Sequence, residues 1–258
     1  MKITTWNVNS VRARTAHVVR FLEQEQPDLL LLQEIKCEEP AFPTDTFAEA
    51  GYHSTILGQK SYNGVAILCR APVTVTARGL PGLDDVQARY LEIEFQGVRV
   101  GNLYLPNGNS GGDDGYAYKL RWMDALAARA RDLLIQDIDF VLAGDFNVCP
   151  ASEDLAPGTL PPGDALVRAE TRARFRALLW LGLTDAVRAL HPHEILYSFW
   201  DYQAGCWPRD KGLRIDHALL SPKLAECLTS ALPDRMVRGE DQPSDHCPVT
   251  IELGLAKN

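Results

Sequence analysis

The sequence lacks any long hydrophobic segment. Leu29–Leu32 has the length of a strand core, and no stretch approaches the roughly 20 apolar residues that a membrane-spanning helix needs. The N-terminal residues, MKITTWNVNS, also lack the apolar stretch of a secretory signal peptide. These absences predict a cytoplasmic protein with no membrane partner.

The chain also lacks paired cysteines. Its cysteines are scattered, with no CxxC pair and no His–Cys spacing that is typical of a zinc site. They are Cys37, Cys69, Cys149, Cys206, Cys227 and Cys247. We expect reduced thiols rather than a disulfide framework.

An excess of basic residues is absent as well. Lysine and arginine number 26 against 34 aspartate and glutamate residues, which gives a net charge of −8. This balance at first argues against a polyanionic partner. However, a site that gathers carboxylates around a divalent metal is itself locally acidic, so the net charge does not exclude a nucleic acid.

Strand and helix patterns alternate from one end of the chain to the other. A helix pattern follows Ser10, which we predict as its N-cap, and a long amphipathic pattern covers about residues 118–136. Gln96-Gly97 is typical of a hairpin turn, and LYSFWDY (196–202) is predicted as one of three C-terminal strands. Many strands with intervening helices favour an α/β fold in which two packed β-sheets are covered by helices. No linker is visible, so we predict a single domain spanning residues 1–258.

The segment DFVLAGDFNVCP begins as a buried strand and ends in polar residues. Asp145 and Asn147 are two residues apart, so they point to the same side of an extended chain. Turn chemistry would explain both residues, because Gly, Asp and Asn favour strand exits. We also expect Gly144 to leave room for close approach of a substrate.

Polar residues recur at other predicted strand ends. They include Asn7 and Asn9, Glu34 after the leucine run, Tyr104 and Asn107, Asp216, and the pair Asp245 and His246. A carboxylate beside an apolar run is costly unless it is paired, hydrogen-bonded or bound to a metal. Turn chemistry would have to explain each of these residues separately, so a shared functional site is the stronger hypothesis.

These residue types favour metal-assisted hydrolysis of a phosphoester. Carboxylate and amide oxygens suit Mg²⁺, or Mn²⁺, rather than zinc, with Glu34 as a ligand and Asn7 and Asp245 assisting it. Asp216 and His246 fit a carboxylate that orients an imidazole. The chain has no Walker loop and no nucleophile elbow, so water is the expected nucleophile.

The ordered motifs WNVNS, LLLQE, YNGVAIL, YLPNG, LAGDFN, SFWDYQAG, RIDHALLSP and PSDHCPV resemble the exonuclease III family of apurinic/apyrimidinic (AP) endonucleases. That family belongs to the endonuclease/exonuclease/phosphatase superfamily, and the similarity runs from about Met1 to Leu253. The resemblance implies a DNase I-like four-layer α/β sandwich. It also implies Mg²⁺-dependent incision of DNA 5′ to abasic sites, often with 3′-to-5′ exonuclease and 3′-phosphatase activities.

The resemblance also implies roles for individual residues. Glu34 matches the principal metal ligand, with Asn7 and Asp245 in support, and Asp145 and Asn147 are candidates for a second metal site. Asp145 matches the residue that orients or deprotonates the attacking water, Asn147 the amide that holds the scissile phosphate, and Tyr104 a tyrosine that stabilises the transition state or leaving group. Asp216 and His246 match the Asp–His pair. The predicted substrate contacts are Asn9, Tyr62, Asn63, Gly64, Asn107 and Trp200, the last as a wall of the abasic-sugar pocket.

The predicted partner is double-stranded DNA with abasic sites or damaged 3′ ends, bound by a monomer. One alternative is an enzyme that mainly processes 3′ ends and incises abasic sites weakly. Another is a phosphoinositide or sphingomyelin phosphodiesterase of the same superfamily. A third is a nucleic-acid-binding protein that has lost catalysis, although every expected catalytic residue is present.

Overall fold

Residues 1–255 are described by a computed structural model, so the last three residues of the predicted domain 1–258 lie outside the described residues. The strands are β1 (Lys2–Asn7), β2 (Leu29–Gln33), β3 (His53–Leu57), β4 (Val65–Cys69), β5 (Thr74–Arg78), β6 (Tyr90–Phe95), β7 (Val98–Tyr104), β8 (Phe140–Asp145), β9 (Thr184–Asp185), β10 (Asp216–Leu220), β11 (Leu228–Pro233) and β12 (Val249–Leu253). The α-helices are α1 (Thr15–Glu25), α2 (Thr44–Glu49), α3 (Gly112–Ile135), α4 (Ala169–Trp180), α5 (Ala186–Leu190), α6 (Pro222–Glu226) and α7 (Arg235–Arg238).

The strands form two six-stranded mixed sheets. The first has the order β11-β12-β1-β2-β4-β3, and the second has the order β5-β6-β7-β8-β10-β9. The central pairs β1–β2 and β7–β8 are parallel, whereas the flanking pairs are antiparallel. The predicted α/β architecture of two packed sheets flanked by helices is confirmed.

The apolar runs in the sequence are explained by burial on both faces of each sheet. Leu29 and Leu31 of β2 point into the core between the sheets, where Val100 and Val141 of the second sheet also pack. Leu30 and Leu32 point the other way, into the core beneath α1 and α2. Full burial of each such side chain stabilises the fold by about 1.5–3 kcal/mol, as an upper estimate. Burial on both faces therefore favours a continuous apolar run such as Leu29–Leu32.

The first helix begins later than we predicted. It begins at Thr15, and the residue before it is Arg14, so Ser10 is not its N-cap. Instead, the backbone N–H of Ser10 donates to the carbonyl oxygen of Glu34 at 2.8 Å, and Ser10 has a φ of +88°. Residues 9–11 are thus part of a turn fixed to the end of β2 rather than the start of a helix.

The segment LYSFWDY is not a strand, which corrects another prediction. Phe199 forms only isolated bridges in the described chain, to Leu213 and His246. Backbone hydrogen bonds also connect the segment to the stretches of chain on either side of it. For example, the N–H of Trp200 donates to the carbonyl oxygen of Asp245 at 2.8 Å. The segment therefore ties the residues before β10 to those before β12, and these two stretches carry candidate site residues.

None of the helices among residues 1–255 combines the length and apolar character that are needed to cross a bilayer. All six cysteines carry free thiols.

Candidate active site

Five strands bring their polar ends to one edge of the two-sheet core. Asn7 ends β1, and Glu34 follows β2 directly. Tyr104 and Asp145 end the parallel strands β7 and β8 and are paired in register. Asp216 begins β10, which runs antiparallel to β8, and it lies opposite Asp145. The carboxyl ends of parallel strands are the usual place for a ligand site in an α/β fold.

The amide of Asn7 connects the two sheets at this edge. Its Nδ2 donates to Glu34 Oε1 and to Asp145 Oδ2, each at 2.9 Å. Asn7 is fully buried, and its Oδ1 accepts from the N–H of Asn9 at 3.0 Å. Two carboxylates from different sheets are thus held close together by a neutral donor rather than by a cation.

A second pair lies on the other side of Asp145. His246 Nδ1 is 2.8 Å from Asp216 Oδ2, and Ser198 Oγ donates to the same carboxylate oxygen at 2.6 Å. The other ring nitrogen, His246 Nε2, lies 3.8 Å from Asp145 Oδ2, which is too long for a hydrogen bond. Asp216 therefore fixes the imidazole and leaves Nε2 facing Asp145 across a gap.

Burial and charge set the protonation of these groups. Burial by itself lowers the pKa of His246, but the carboxylates of Asp216 and Asp145 outweigh it and raise that pKa to about 10. Burial raises the pKa of Asp145, while the positive His246 opposes the rise. Burial would also raise the pKa of Glu34, but Lys36 and the Asn7 hydrogen bond hold it below its ordinary value. At neutral pH the site therefore contains an imidazolium donor next to a carboxylate that can accept a proton.

The turn after β8 has both of the properties that its sequence suggested. Asp145 Oδ1 accepts from the N–H of Asn147 at 2.9 Å, and Asn147 has a φ of +50°, so turn chemistry is present. Asn147 Nδ2 donates to Leu105 O at 3.0 Å, and Asn147 Oδ1 accepts from Asn107 Nδ2 at 2.9 Å. One N–H of the Asn147 amide remains for a substrate, because an amide nitrogen has two protons.

Gly144 is required by the neighbouring strand rather than by a substrate. A Cβ at this position would lie 1.9 Å from the carbonyl oxygen of Leu103 in β7. Our expectation that Gly144 leaves room for substrate is therefore wrong. The glycine instead allows β7 and β8 to pair closely where they carry Tyr104 and Asp145.

Tyr104 is held as a neutral phenol. Burial and the carboxylates of Glu34 and Asp145 raise its pKa well above the ordinary value. Arg89 lies over the ring, 4.7 Å from its centroid, and donates to the Tyr104 carbonyl oxygen at 3.1 Å. The hydroxyl is therefore a hydrogen-bond donor at any physiological pH.

A cavity of about 280 Å³ lies at this edge and has two unlike halves. The polar half contains the predicted residues Glu34, Tyr104, Asn107, Asp145, Asn147, Asp245 and His246. The apolar half contains Leu160, Leu166, Phe199, Leu213 and Ile215. A ligand that combines a phosphate with an apolar ring would match both halves.

The structure corrects the placement of Trp200. Its side chain is fully buried, donates from Nε1 to Asp210 Oδ1 at 3.0 Å and packs against Trp207, so it does not line the cavity. The neighbouring Phe199 lines the cavity instead and packs edge-on against His246. Sequence reasoning missed Phe199, Leu213 and Ile215. The alternation of apolar residues at 213 and 215, directly before Asp216, was the signal that could have indicated an apolar wall.

The remaining predicted substrate contacts are not among the residues that line the cavity. Asn9 Nδ2 donates to Asp245 Oδ1 at 3.1 Å. Asn63 is largely buried and donates to Gln59 and Gln87, whereas Tyr62 beside it is 72% exposed. Tyr62, Asn63 and Gly64 are absent from the described lining of the cavity, and their contact with DNA stays a prediction.

The residues at this edge fit a hard divalent cation. The available donors are carboxylate and amide oxygens, and Asp216 Oδ1 is buried without a hydrogen-bond partner among the described residues. Lys36 Nζ lies 2.8 Å from Glu34 Oε2, so a positive charge is already favoured beside the predicted principal ligand. This oxygen-rich donor set suits Mg²⁺ or Mn²⁺ better than a thiophilic metal.

A buried charge network beneath the apolar half was not anticipated. Arg214 Nε donates to Asp154 Oδ1 at 2.7 Å, and its Nη1 donates to Asp185 Oδ2 at 2.8 Å. Arg188 donates to the same Asp154 oxygen at 2.6 Å. Arg214 lies between the wall residues Leu213 and Ile215, so the network fixes that wall.

Comparison with known proteins gives matches over almost the whole chain. The profile of the endonuclease/exonuclease/phosphatase family matches residues 4–246. Exodeoxyribonuclease III of Haemophilus influenzae is 34% identical and is aligned over 98% of this chain and 100% of its own length. The structure of an AP endonuclease from Archaeoglobus fulgidus has a TM-score of 0.93 at 33% identity, covering 99% of this chain and 100% of that chain. The structure of a 3′ phosphatase from Neisseria bound to a product DNA hairpin has a TM-score of 0.93 at 41% identity. The match covers 98% of this chain and 99% of that chain.

Proposed function

This chain belongs to the endonuclease/exonuclease/phosphatase family, and from that premise we propose that it hydrolyses DNA phosphodiesters on the 5′ side of abasic sites with Mg²⁺ as cofactor. It is a nuclease of the exodeoxyribonuclease III and AP endonuclease type, with exonuclease and 3′-phosphatase activity. Hydrolysis breaks the bond between phosphorus and the 3′ oxygen and leaves a 3′-hydroxyl and a 5′-phosphate.

The observation that carries the proposal is the two-sided cavity. Its polar half presents Asp145, Asn147 and His246, and these face an apolar half that includes Phe199 and Leu213. A phosphate would bind in the first half. A deoxyribose that has lost its base is small, and its carbon face would pack against the second.

Asp145 is proposed to orient the attacking water and accept its proton. Its raised pKa suits a general base near neutral pH, since proton transfer is most effective when the pKa lies near the working pH. The amide of Asn7 bonds to Asp145 Oδ2 and fixes the carboxylate. An ionised carboxylate cannot donate a hydrogen bond, so Asp145 would act on water rather than on the phosphate itself.

Asn147 and His246 are proposed to bind the non-bridging phosphate oxygens. Asn147 has one free amide N–H, and His246 is a cation whose Nε2 has no hydrogen bond to Asp145. Donors fixed before the reaction stabilise charge as it develops on phosphate. Asp216 would orient the imidazole, and Tyr104 would donate to the leaving oxygen or to the transition state.

Mg²⁺ is the proposed cofactor, and Mn²⁺ could replace it. Glu34 would hold the ion, with Asn7 and Asp245 supporting it, and Asp145 and Asn147 remain the candidates for a second ion. When bound, the cation supplies Lewis-acid charge to the phosphate. The chain's own contribution is to hold these oxygens in place through the Asn7 and Asn9 hydrogen bonds.

A second candidate function is mainly 3′-end processing with weak abasic incision. Asp164 and Asp201 lie at the cavity beside its apolar wall, and their carboxylates would repel the phosphate of a strand that continues past the site. A strand that ends there would place no such phosphate next to them. The 41% identity to a Neisseria 3′ phosphatase favours the same alternative.

The proposed partner is double-stranded DNA with abasic sites or damaged 3′ ends. The protein would act as a monomer, because each catalytic group comes from one chain. The free thiols suit a reducing compartment, so the cytoplasm is the proposed location.

The test uses two DNA substrates side by side. One is a duplex with a single internal abasic analogue, and the other is a duplex with a recessed 3′-phosphate, each assayed with Mg²⁺ and with EDTA. Comparable Mg²⁺-dependent turnover of both supports the proposal. Turnover of the 3′-phosphate alone supports the second candidate, and turnover of neither refutes both.

A further inference from the structure

A lysine with no role in the proposed chemistry is buried beneath the polar half of the cavity. Lys119 lies on α3 and its side chain is fully buried. Its Nζ donates to three carbonyl oxygens, those of Pro106 and Asn107 at 3.1 Å and that of Asn147 at 2.7 Å. Three acceptors match the three N–H groups of an ammonium, whereas a neutral amine could supply only two.

The three carbonyls belong to the two segments that carry the site amides. Asn107 follows β7 and Asn147 follows β8, and their side chains are bonded to each other at 2.9 Å. Lys119 joins the same two segments from below through their backbones. Because Asn147 also has a left-handed backbone conformation, its side-chain direction depends on how this turn is held.

The charge of Lys119 is expensive to keep in this position. Burial lowers its pKa to about 7, and the more distant carboxylates of Asp145 and Asp164 oppose the shift. All three hydrogen bonds go to carbonyl oxygens, so no hydrogen-bonded carboxylate neutralises the ammonium. A lysine buried at this cost, with three carbonyl acceptors from the two segments that carry Asn107 and Asn147, points to a role in holding those segments.

The loop above the lysine is adapted to its stem. Gly108 has a φ of +89°, and a Cβ there would lie 2.6 Å from Lys119 Cδ. A side chain at this position would therefore push the lysine stem away from the carbonyls. Gly108 allows the loop that carries Asn107 to close directly onto the lysine.

We propose that Lys119 is a positioning residue that holds the backbones of Asn107 and Asn147, so that the Asn147 amide meets the scissile phosphate. This inference rests on the proposed phosphodiester hydrolysis. Lys119 itself does not reach the cavity, so it acts through Asn147 rather than on the substrate.

The experiment compares Lys119→Met with Lys119→Arg on the abasic duplex under saturating Mg²⁺. We expect kcat to fall by about 10- to 100-fold in Lys119→Met, which is the scale for misplacing a reacting group by about 1 Å. Lys119→Arg keeps the charge and should recover part of the loss. Arg129→Met is the matched control, since Arg129 lies on the same helix but binds buried Glu92 at 2.6 Å away from the site. It should lower thermal stability and leave kcat unchanged.

A double-mutant cycle separates positioning from general structural support. In an Asn147→Ala background, Lys119→Met should cost less than about threefold, because partners in one network are not additive. In an Asp216→Asn background it should retain its full effect. Equal losses in both backgrounds, or no loss of kcat in Lys119→Met, would overturn the inference.

Two controls keep the result interpretable. If Lys119→Met does not fold, Gly108→Ala decides in its place, because the new methyl group displaces the lysine stem without removing the charge. A folded Gly108→Ala variant with reduced kcat supports the inference if this reduction disappears in the Asn147→Ala background. An unchanged kcat in Gly108→Ala overturns the inference. An inactive wild-type enzyme would instead refute the proposed function.

Discussion

Replacing Asp216 with asparagine tests how the site keeps its histidine charged. Asp216 is fully buried, and one of its oxygens, Oδ2, accepts from His246 Nδ1 at 2.8 Å and from Ser198 Oγ at 2.6 Å. Asparagine preserves the size of the side chain but removes its charge. The imidazolium would then keep its burial and lose its nearest carboxylate.

The size of the effect follows from the distance between the charges. Two unit charges about 4 Å apart interact by about 4 kcal/mol at an effective dielectric constant near 20. At about 1.36 kcal/mol per pKa unit, loss of that interaction lowers the pKa of His246 by about 3 units. Since that pKa is raised from 6.5 to about 10 in the protein, we expect the variant to titrate near neutrality.

The assay is the dependence of kcat on pH for incision of an abasic duplex at saturating Mg²⁺. His246 must be protonated to donate to phosphate, so wild-type activity should persist until the pH approaches the raised pKa. In Asp216→Asn we expect the alkaline limb to move down by about 3 pH units. We also expect kcat at neutral pH to fall by about 100-fold or more, as for loss of an oriented acid or base.

Ser198→Ala is the matched control, because it removes a hydrogen bond to Asp216 and leaves the charge. Its alkaline limb should stay at the wild-type position. If Asp216→Asn keeps the wild-type profile with only a lower amplitude, the assignment of His246 as a charged donor is wrong.

Three further outcomes follow from the packing and the donor set. Gly144→Ala should lower the free energy of unfolding in urea by about 3 kcal/mol or more, because the new Cβ would lie 1.9 Å from Leu103 O. A decrease below about 1 kcal/mol would contradict the close pairing of β7 and β8. Asp154→Asn should cost about 3 kcal/mol at neutral pH, since it leaves Arg214 partly unpaired. Arg214 holds the pKa of Asp154 at about 2 despite burial. The stability difference between wild type and Asp154→Asn should therefore be complete above pH 3.8 and shrink as the pH falls towards 2. A difference that does not change with pH would contradict this ion pair. Glu34→Gln should raise the Mg²⁺ concentration for half-maximal activity by about tenfold or more without changing the melting temperature, and an unchanged requirement would remove Glu34 from the proposed metal site.

The site edge was predictable because strand ends carry a strong sequence signal. Apolar runs such as Leu29–Leu32 have to be buried on both faces, so a carboxylate directly after one needs a partner or a ligand. The order of residues along the chain then predicted Glu34, Asp145 and His246 as neighbours, and they line one cavity. The alternation of strand and helix patterns along the chain likewise predicted the α/β architecture.

Other features depended on packing that no local pattern contains. Trp200 and Phe199 are adjacent and both aromatic, and only the bonds of that segment to Leu213 and Asp245 determine which of them faces the cavity. Ser10 has a favourable N-cap residue type, but its N–H is used by Glu34 instead. Lys119 is one residue of a long amphipathic helix, and its buried position becomes visible only when Asn107 and Asn147 meet above it.

The most direct test of the account is the position and chemistry of the cut in a duplex with one abasic analogue, using wild-type protein and Asp145→Asn. We expect the wild type to make a single Mg²⁺-dependent nick immediately 5′ to the lesion, leaving a 3′-hydroxyl and a 5′-phosphate. Asp145→Asn should bind the same duplex and leave it intact. A cut at another position, or a nick that Asp145→Asn makes at the wild-type rate, would contradict the account.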